Sequence, residues 1–369
     1  MNELLDRIAL SLAPGLGPRS WNKLLDVFGD AGTVLAADHE LIRRKVPGVG
    51  AKVIAAIDRV RLRAEAESEL ERASRAGIRI IASCDDDYPE LLSNISDPPV
   101  LLYVKGDAAL LRSPCLGIVG ARASTVYGQR IAADLAGRLC RRGLTVVSGL
   151  ALGIDAAAHS GALRANGATI AVLGCGLDVV YPRQNENLHA EIGERGALVS
   201  EYRLGTLPEP FRFPARNRII SGLSLGVVVV EAAKKSGSLI TARMALEQGR
   251  EVFAIPGRID SSKSEGAHRL LQEGAKLVHS VDDILEEIAH GVSDLCPPQK
   301  KSAARIALST EEAILFALLD VYPRNIDELI QQSGMTAQKV NEVLLLLELK
   351  GAIEVLPGGQ YQKKGEGMG

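Results

Sequence analysis

The stretch from Cys115 to His159 constrains the fold most, because two strand–turn–helix units follow one another in it. Leu116–Val119 and Leu144–Val147 are short apolar runs, and each is followed at once by a glycine or a serine. Such runs are typical of parallel strands that are buried on both faces. Between them, apolar residues at four-residue spacing predict an amphipathic helix that ends at Gly143. This order of elements predicts an α/β fold.

The turn that follows each of these two strands contains glycine and hydroxyl residues. Backbone N–H groups in such turns, together with the N-termini of the helices that follow, bind anions and most often phosphates. Either Ser124 or Thr125 is placed to cap the first helix, and Arg122 adds a positive charge to the first turn. We therefore predict an anion site to which the two turns contribute Arg122, Ser124, Ser148, Gly149 and Gly153.

The alternation of strands and helices continues to about residue 280. Two strands precede the central stretch, at Ile78–Ala82 and Val100–Val104, and others follow it at Thr169–Leu173, Ala197–Ser200, Val227–Val230, Glu251–Ile255 and Lys276–Val278. Helices are predicted at 185–195, 214–222, 238–249 and 264–274. Because the strands are nearly continuous runs of Val, Ile and Leu, we predict that residues 65–290 form an extended Rossmann-like parallel sheet with helices on both faces.

A basic cluster lies at 211–218, where the sequence FRFPARNR holds three arginines and an asparagine. It precedes the strand Val227–Val230, and a third turn with glycine and serine follows that strand at 234–238. Arginine forks suit phosphates, and ligands of open α/β sheets bind at the carboxyl ends of the strands. A solvated basic surface is the alternative. We predict a long anionic ligand that contacts Arg216, Asn217, Arg218, Lys234, Ser236, Gly237 and Ser238.

Residues 1–64 contain an internal repeat, because PGLGPR at 14–19 recurs as PGVGAK at 47–52. Each copy has a Gly-apolar-Gly turn that opens a helix, with a basic residue two positions after the second glycine. The pattern resembles the helix-hairpin-helix motif, whose turn directs N–H groups toward a DNA phosphate. A helical packing module in which the glycines only close the hairpins explains the pattern equally well. A charged connecting helix is predicted to follow at 65–77.

A polar, proline-containing linker at 291–308 is predicted to precede a C-terminal module at 309–369. The module has three predicted helices and then a β-hairpin, an order that resembles a winged helix. Residues 301–369 hold seven Lys and Arg against nine Asp and Glu, so their net charge of −2 opposes DNA binding. The run Leu344–Leu347 cannot be buried on one helix face, so we predict that this module contacts a protein partner.

The composition of the chain excludes several classes of protein. Its 369 residues include 46% hydrophobic side chains, which is enough for packed cores. It has no apolar run of about eighteen residues and no N-terminal signal pattern, so we predict a cytoplasmic protein without a membrane contact. The five cysteines form no CxxC pair, so neither a metal site nor a disulfide framework is expected. Because the net charge is −2, a nucleic-acid site must come from local patches.

Seven motifs, in this order and spacing, resemble the DNA-processing protein A (DprA/Smf) family: GIVGARASTVYG, SGLALGIDAAAH, AVLGCGLDVVYP, LVSEY, FPARNRIISGLS, EAAKKSGSLITA and FAIPG. The preceding segment YPELLSNISDPPVLLYVKG resembles the family as well. The likeness is dense over residues 78–280 and holds in outline for the flanking modules. It implies an extended Rossmann-like domain that binds single-stranded DNA.

The resemblance also implies a role and partners. Proteins of this family commonly form dimers, help to displace single-strand-binding protein, and load the RecA recombinase onto incoming strands during natural transformation. The resemblance therefore implies a homodimeric recombination mediator that protects incoming single-stranded DNA and needs no cofactor.

The resemblance places several residues by motif. Arg122 falls in the basic turn of the family, Arg216–Arg218 in its FPxRNRxI motif and Lys234–Ser238 in its KSGSLxT turn. After Tyr181-Pro182 the family often has a basic residue close to an asparagine. This chain has Asn-Glu-Asn there, which leaves Arg183 to make the contact.

The main alternative is an enzyme, namely a nucleotide phosphoribohydrolase of the related lysine-decarboxylase-like fold. Its PGGxGTxxE signature places a catalytic glutamate where this chain has Thr241, and no obvious carboxylate replaces it. Gly117–Gly120 does not complete the GxGxxG of a dehydrogenase, and a Walker A sequence is absent. Asp155 and His159 are expected to orient the second turn by hydrogen bonds rather than to form a catalytic pair. We therefore predict no enzymatic activity and no catalytic residues.

Overall fold

The computed structural model describes residues 2–288, 308–320 and 322–363. The chain forms two compact units, Met1–Leu295 and Cys296–Gly369. Among the described residues, each unit has a hydrophobic core of its own. None of the helices in these ranges combines the length and the apolar character that a membrane span needs.

A nine-stranded sheet forms the centre of the first unit. Its strands are β1 (Ile78–Ala82), β2 (Leu101–Gly106), β3 (Cys115–Val119), β4 (Thr145–Ser148), β5 (Thr169–Val172), β6 (Ala197–Ser200), β7 (Gly226–Val229), β8 (Glu251–Ala254) and β9 (Lys276–Leu277). Their order across the sheet is β1-β2-β6-β5-β4-β3-β7-β8-β9. β2 pairs antiparallel with both of its neighbours, whereas all other neighbours pair in parallel. The predicted Rossmann-like sheet is confirmed, apart from the reversed direction of β2.

Helices cover both faces of this sheet. Along β3, Cys115 and Val119 belong to one core cluster, while Leu116 and Ile118 point to the opposite face and belong to another. The helices of the unit are α1 (Asn2–Ser11), α2 (Pro18–Phe28), α3 (Ala31–Ala36), α4 (His39–Lys45), α5 (Ala51–Ala55), α6 (Arg59–Arg75), α7 (Glu90–Ser93), α8 (Val126–Arg141), α9 (Ile154–Arg164), α10 (Glu186–Arg195), α11 (Arg212–Leu223), α12 (Ser238–Glu247), α13 (Glu265–Gln272) and α14 (Val281–Ile288). Two short 3₁₀ segments lie at Ala108–Arg112 and Arg183–Asn185.

The helices α8 and α9, which follow β3 and β4, approach each other closely. A Cβ atom added to Gly161 of α9 would lie 2.1 Å from the carbonyl oxygen of Ala133 in α8. Gly137 of α8 leaves room in the same way, because a Cβ there would lie 3.3 Å from the carbonyl oxygen of Gly161. Glycine at these positions allows the two backbones to touch. The two helices, and with them the turns that precede them, are therefore held side by side.

The two copies of the N-terminal repeat adopt the same turn. Gly15 and Gly48 have φ angles of +79° and +92°, in the region that favours glycine. Gly17 and Gly50 are the N-cap residues of α2 and α5. Each copy of the repeat is therefore confirmed as a glycine turn that opens a helix, α2 in the first copy and α5 in the second. DNA binding by these hairpins stays a prediction.

The helix that we expected at 65–77 begins earlier, since α6 starts at Arg59. Asp58 is its N-cap, and the carboxylate of that residue accepts a hydrogen bond from the Arg61 amide. On α6, Leu62 and Ala66 are buried in the core cluster that also contains residues of α1 and of the sheet. The N-terminal helices and the α/β part of the chain thus share one core across the predicted boundary at residues 64 and 65.

The second unit has the predicted order of a helix, a helix–turn–helix and a hairpin. It consists of α15 (Thr310–Leu318), β10 (Arg324–Asn325), α16 (Ile326–Ser333), α17 (Ala337–Leu349), β11 (Ile353–Leu356) and β12 (Gln360–Lys363). Leu344 and Leu347 are buried, whereas Leu345 and Leu346 are 56% and 40% exposed. The prediction that one helix face cannot bury this leucine run is confirmed. The predicted linker lies, except for Leu308, outside the described residues.

Candidate functional site

The order of the strands reverses at β3. β4, β5 and β6 lie on one side of this strand, whereas β7, β8 and β9 lie on the other. At such a point the loops that follow neighbouring strands diverge and leave a crevice at the carboxyl edge of the sheet. The loops after β3, β4 and β7 are the three turns rich in glycine and hydroxyl residues. A cavity of about 370 Å³ lies between them and has all three turns in its lining.

Thr125 and Glu231 fix the first turn, which follows β3. The Thr125 hydroxyl accepts a hydrogen bond from the Gly128 amide at 2.9 Å and donates one to the Glu231 carboxylate. Glu231 follows β7 and also accepts from the Thr125 amide at 2.8 Å. Of the two predicted caps, Thr125 is therefore the one that caps α8, while Ser124 accepts from Gln129 at 3.0 Å. The Glu231 carboxylate ties the loop after β3 to the end of β7.

Asp155 organises the second turn, which follows β4. Its carboxylate accepts hydrogen bonds from the amides of Gly149 and Ala151, at 3.2 and 3.4 Å. Gly153 has a φ of +80°, and a Cβ there would lie 2.4 Å from the carbonyl oxygen of Ala121 in the first turn. Only glycine fits this position. The first and second turns are thus in direct contact.

Ser148 does not reach the cavity. Its side chain is fully buried and donates to the carbonyl oxygen of Ile118 at 2.6 Å. The prediction that Ser148 belongs to the anion site is wrong. This residue is the last of β4, and its hydroxyl donates to the backbone of the neighbouring strand β3.

The third turn, which follows β7, contributes residues 236–238 to the cavity lining. The hydroxyl oxygens of Ser236 and Ser238 lie 2.8 Å apart, and a Cβ added to Gly237 would meet nothing within 4 Å. Lys234 instead lines a separate groove beside α12. It lies outside the cavity, because a hydrogen bond from the Ser236 amide to the Ala233 carbonyl closes a turn between the two positions. Contact of Lys234 with the anionic ligand stays a prediction.

The guanidinium of Arg216 is buried beside the second turn, and the residue is only 4% exposed. Nη1 donates to the carbonyl oxygen of Gly149 at 2.8 Å and to that of Val172, while Nε donates to the side chain of Asn217 at 3.1 Å. We expected this side chain to face a ligand rather than the core. The structure corrects that orientation, because buried carbonyl groups need a donor and Arg216 supplies it. Both Arg216 and Asn217 still line the cavity.

Asp155 and Arg216 are charges of opposite sign in the same buried region. Burial raises the pKa of the Asp155 carboxyl, and the charge of Arg216 acts in the opposite direction. Burial likewise lowers the pKa of Arg216, and Asp155 counteracts it. Each group therefore stabilises the charged form of the other, and removal of either leaves an uncompensated charge.

Arg218 points away from the cavity. Its guanidinium lies 2.5 Å from Glu201 and 3.1 Å from Asp97, and the residue is 7% exposed. Two positions along a helix turn a side chain by about 200°, so Arg216 and Arg218 face different surroundings. The prediction that Arg218 contacts the ligand is wrong, because its charge is already satisfied by two carboxylates of the chain itself.

The exposed cation of the cavity is Arg122. Its guanidinium lies 5.5 Å from the centroid of the Phe213 ring, and that of Arg216 lies 6.0 Å from it. The Tyr181 ring lies 5.5 Å from Phe213, tilted by 33°, so two aromatic rings line the cavity beside Arg122. The sequence alone did not reveal this pair, because aromatic residues make up only 4% of the chain and the two are far apart in sequence, Tyr181 in a loop and Phe213 in the first turn of α11. The position of Phe213 inside the basic cluster was the available signal.

The sequence of the chain is similar to that of proteins of one known family. The family model described as DNA recombination-mediator protein A matches residues 79–289, and the model of the DprA winged helix domain matches residues 299–359. The chain belongs to the DprA/Smf family. It is 44% identical to Protein Smf of Escherichia coli over 299 residues, which cover 79% of both chains. It is 52% identical to DNA processing protein DprA of Streptococcus pneumoniae over 203 residues, or 55% of this chain and 72% of that protein.

Two solved DprA structures share the fold. The X-ray structure of DprA from Streptococcus pneumoniae has a TM-score of 0.68 and 41% identity, and covers 76% of this chain and 95% of that one. DprA from Helicobacter pylori has a TM-score of 0.53 and 32% identity, with coverage of 58% and 96%. The Helicobacter pylori protein has a unique mode of single-stranded DNA binding.

Arg183, at the departure from the usual DprA/Smf pattern, is exposed and begins a 3₁₀ segment. It does not line the cavity, although the ring of Tyr181 does. The motif asparagine, Asn185, is buried and donates to the carbonyl oxygens of Leu150 at 2.9 Å and Ala151 at 3.3 Å. Asn185 therefore supports the second turn, and contact of Arg183 with a ligand stays a prediction.

Asp155 and His159 have separate hydrogen-bond partners. Asp155 binds the amides of the second turn, which confirms its expected orienting role. The Nδ1 atom of His159 lies 2.7 Å from the Thr169 hydroxyl, so this buried ring braces α9 against β5 rather than holding the turn directly.

The stability of the protein should depend on pH through His159. Burial, with a contribution from the charge of Arg216, lowers the pKa of His159 to about 3. In the unfolded chain the pKa is about 6.5, so between these values only the unfolded state binds the proton, and stability falls as the pH falls. We expect a loss of about 2 kcal/mol in unfolding free energy between pH 7 and pH 5, measured with urea. His159→Gln should lack this loss, and equal pH profiles for the two proteins would contradict the prediction.

Proposed function

We propose that this protein binds single-stranded DNA in the cavity between its three turns. The observation that carries the proposal is the exposed Arg122 guanidinium beside the rings of Tyr181 and Phe213. The cation suits a phosphate, while the ring faces suit unpaired bases. Bases within a duplex are already stacked on their neighbours, so they cannot use such a surface. Family membership and the single-stranded DNA binding of the Helicobacter pylori relative support the proposal.

Other groups of the cavity suit a ligand without sequence preference. The lining combines hydroxyls at Ser236 and Ser238 with the side-chain amide of Asn217 and the open backbone at Gly237. Such groups bind phosphates and sugars, which every nucleotide shares. Binding should therefore tolerate any base sequence and weaken steeply with salt.

The test compares a single strand, the matching duplex and a mononucleotide in fluorescence anisotropy titrations at several salt concentrations. We expect the single strand to bind most tightly and its affinity to fall with salt by about 0.7 log units per phosphate contact and decade of salt. Equal affinity for single strand and duplex would overturn the proposal, as would an affinity that does not change with salt.

We further propose a biological role on the basis of family membership. The protein works in the cytoplasm as a homodimer, protects incoming single strands during natural transformation, displaces single-strand-binding protein and loads RecA. The test is RecA filament formation on strands coated with single-strand-binding protein, with and without this protein. An unchanged rate of filament formation would contradict the RecA part of the role and leave the DNA-binding proposal intact.

Deletion of residues 305–369 should leave affinity for single-stranded DNA within about two-fold of the full chain. The described residues of this module pack on a core of their own, and exposed leucines such as Leu345 suit a protein contact rather than DNA. Anisotropy titration of the truncated and full chains checks this. A large loss of DNA affinity on truncation would contradict this prediction and would show that the winged helix contributes to DNA binding.

The phosphoribohydrolase alternative rests on one observation. Thr241 and the carboxylate of Asp155 both lie in the cavity lining, although sequence analysis found no carboxylate there. Since the Asp155 carboxylate is engaged by the amides of the second turn, we propose that the protein has no catalytic activity. The test is release of free base from a nucleoside monophosphate. Release that Asp155→Asn abolishes would favour the enzyme.

A further inference from the structure

We infer that the DNA strand continues from the cavity into a second basic groove, between α12 and α13. The inference rests on the proposed function and extends the path of the bound strand beyond the cavity. The groove has a volume of about 120 Å³, and its charged lining residues are Lys234, Arg243, Arg269 and Glu273. The sequence predicts that Lys234 contacts the anionic ligand, and in the structure this residue lines the groove rather than the cavity.

The groove carries a local positive charge, which favours an anionic partner. Arg269 is paired with Glu273 at 2.7 Å. Lys234 and Arg243 are exposed, and neither has an ion-pair partner among the residues that the structure describes. Two uncompensated cations thus share one groove on a chain whose overall net charge is −2. A local surplus of this kind attracts phosphates even when the whole protein is acidic.

The helix α12 lies between the cavity and the groove. Ile240 and Thr241 near its N-terminus line the cavity, whereas Leu239 and Arg243 line the groove. The third turn joins the two sites directly, since Lys234 and Ser236 lie only two residues apart on opposite sides of it. At its centre, Gly237 is exposed and has open space above it. The open space at Gly237 leaves room there for the backbone of a strand that leaves the cavity.

The apolar part of the groove favours a nucleic-acid strand over a simple inorganic anion. Leu239 and Leu246 line it together with the cations, and Leu246 is 58% exposed. Single-strand sites combine cations that follow the backbone with apolar surface that bases or sugars cover. An acidic segment of a protein is negatively charged like a DNA strand, so the experiment must distinguish these two ligands.

The experiment compares homothymidine strands of about 4 and about 16 nucleotides, within the range of single-strand site sizes. The test variant is Lys234→Ala combined with Arg243→Ala. The matched control is Arg164→Ala, which removes an exposed arginine from the C-terminal end of α9, at the opposite edge of the sheet. Melting curves establish that all variants are folded. The variants are made in the full chain and titrated by anisotropy at several salt concentrations.

For the wild type and the control we expect the longer strand to bind more tightly than the shorter one. The double variant should bind the short strand normally and the long strand about five-fold more weakly or worse. Its salt slope with the long strand should be smaller by up to about 1.4, or about 0.7 for each lost contact.

Each other outcome has a definite meaning. Wild-type affinity of the double variant for the long strand would overturn the inference and would assign the groove to another anion, such as an acidic protein segment. Equal losses for both strands would also overturn it, because the two cations would then act at the cavity. Failure of the wild type to bind either strand would overturn the proposed function itself.

Discussion

The variant Arg216→Ala is expected to lose both stability and DNA affinity. The buried guanidinium donates to the carbonyl oxygens of Gly149 and Val172 and offsets the charge of Asp155. Without it, two buried carbonyl groups lose this donor and the Asp155 carboxylate loses the opposite charge beside it. We expect the unfolding free energy to fall by about 3 kcal/mol or more, measured by urea denaturation. Affinity for single-stranded DNA should fall as well, because the second turn loses its support.

Arg218→Ala is the matched control, since it removes a buried arginine from the same helix, but one that faces Glu201 and Asp97. It should lower stability and leave DNA affinity unchanged at temperatures where the protein is folded. Normal stability of Arg216→Ala with lost DNA binding would show that its guanidinium serves the ligand alone. Wild-type stability together with wild-type DNA affinity of Arg216→Ala would contradict the inference that Arg216 supports the second turn.

The variant Arg122→Ala is expected to show a different profile, with lost affinity and unchanged stability. Its guanidinium is exposed at the cavity and contacts the Phe213 ring. Loss of one charge-assisted phosphate contact should cost about 1–3 kcal/mol, or roughly five- to a hundred-fold in affinity. The plot of log affinity against log salt should also become flatter by about 0.7.

Arg122→Lys is the control for this prediction. It keeps the positive charge, so the salt slope should remain, while the planar contact with Phe213 is lost and affinity falls only in part. A lower melting temperature for Arg122→Ala with an unchanged salt slope would show a structural arginine instead. Anisotropy and thermal melting on the same preparations separate the two cases.

Local residue patterns predict the strands and turns of this protein well. Short apolar runs such as Leu116–Val119 identify buried parallel strands, because a strand covered on both faces needs no polar alternation. Since parallel strands share a carboxyl edge, the three turns rich in glycine were expected to meet, and they line one cavity. The N-terminal repeat likewise predicts its own turns, because the positive φ at Gly15 and Gly48 is a local property.

Side-chain roles at the site depend on partners that are distant in sequence. Nothing near Arg218 shows that Glu201 will neutralise it, and nothing near Arg216 shows that it will support the second turn. The ring pair of Tyr181 and Phe213 forms only when the loop that holds Tyr181 meets the first turn of α11. A basic cluster therefore predicts the position of a site better than it predicts which of its cations are free to bind a ligand.

The close approach of Gly161 to the backbone of Ala133 sets the spacing of elements that build the site. Neither residue lines the cavity, yet their contact sets how far apart α8 and α9 lie, and with them the first two turns. A methyl group at position 161 would force the helices apart and widen the gap between those turns. A substitution at position 161 would therefore change the separation of the first two turns without altering any residue that lines the cavity.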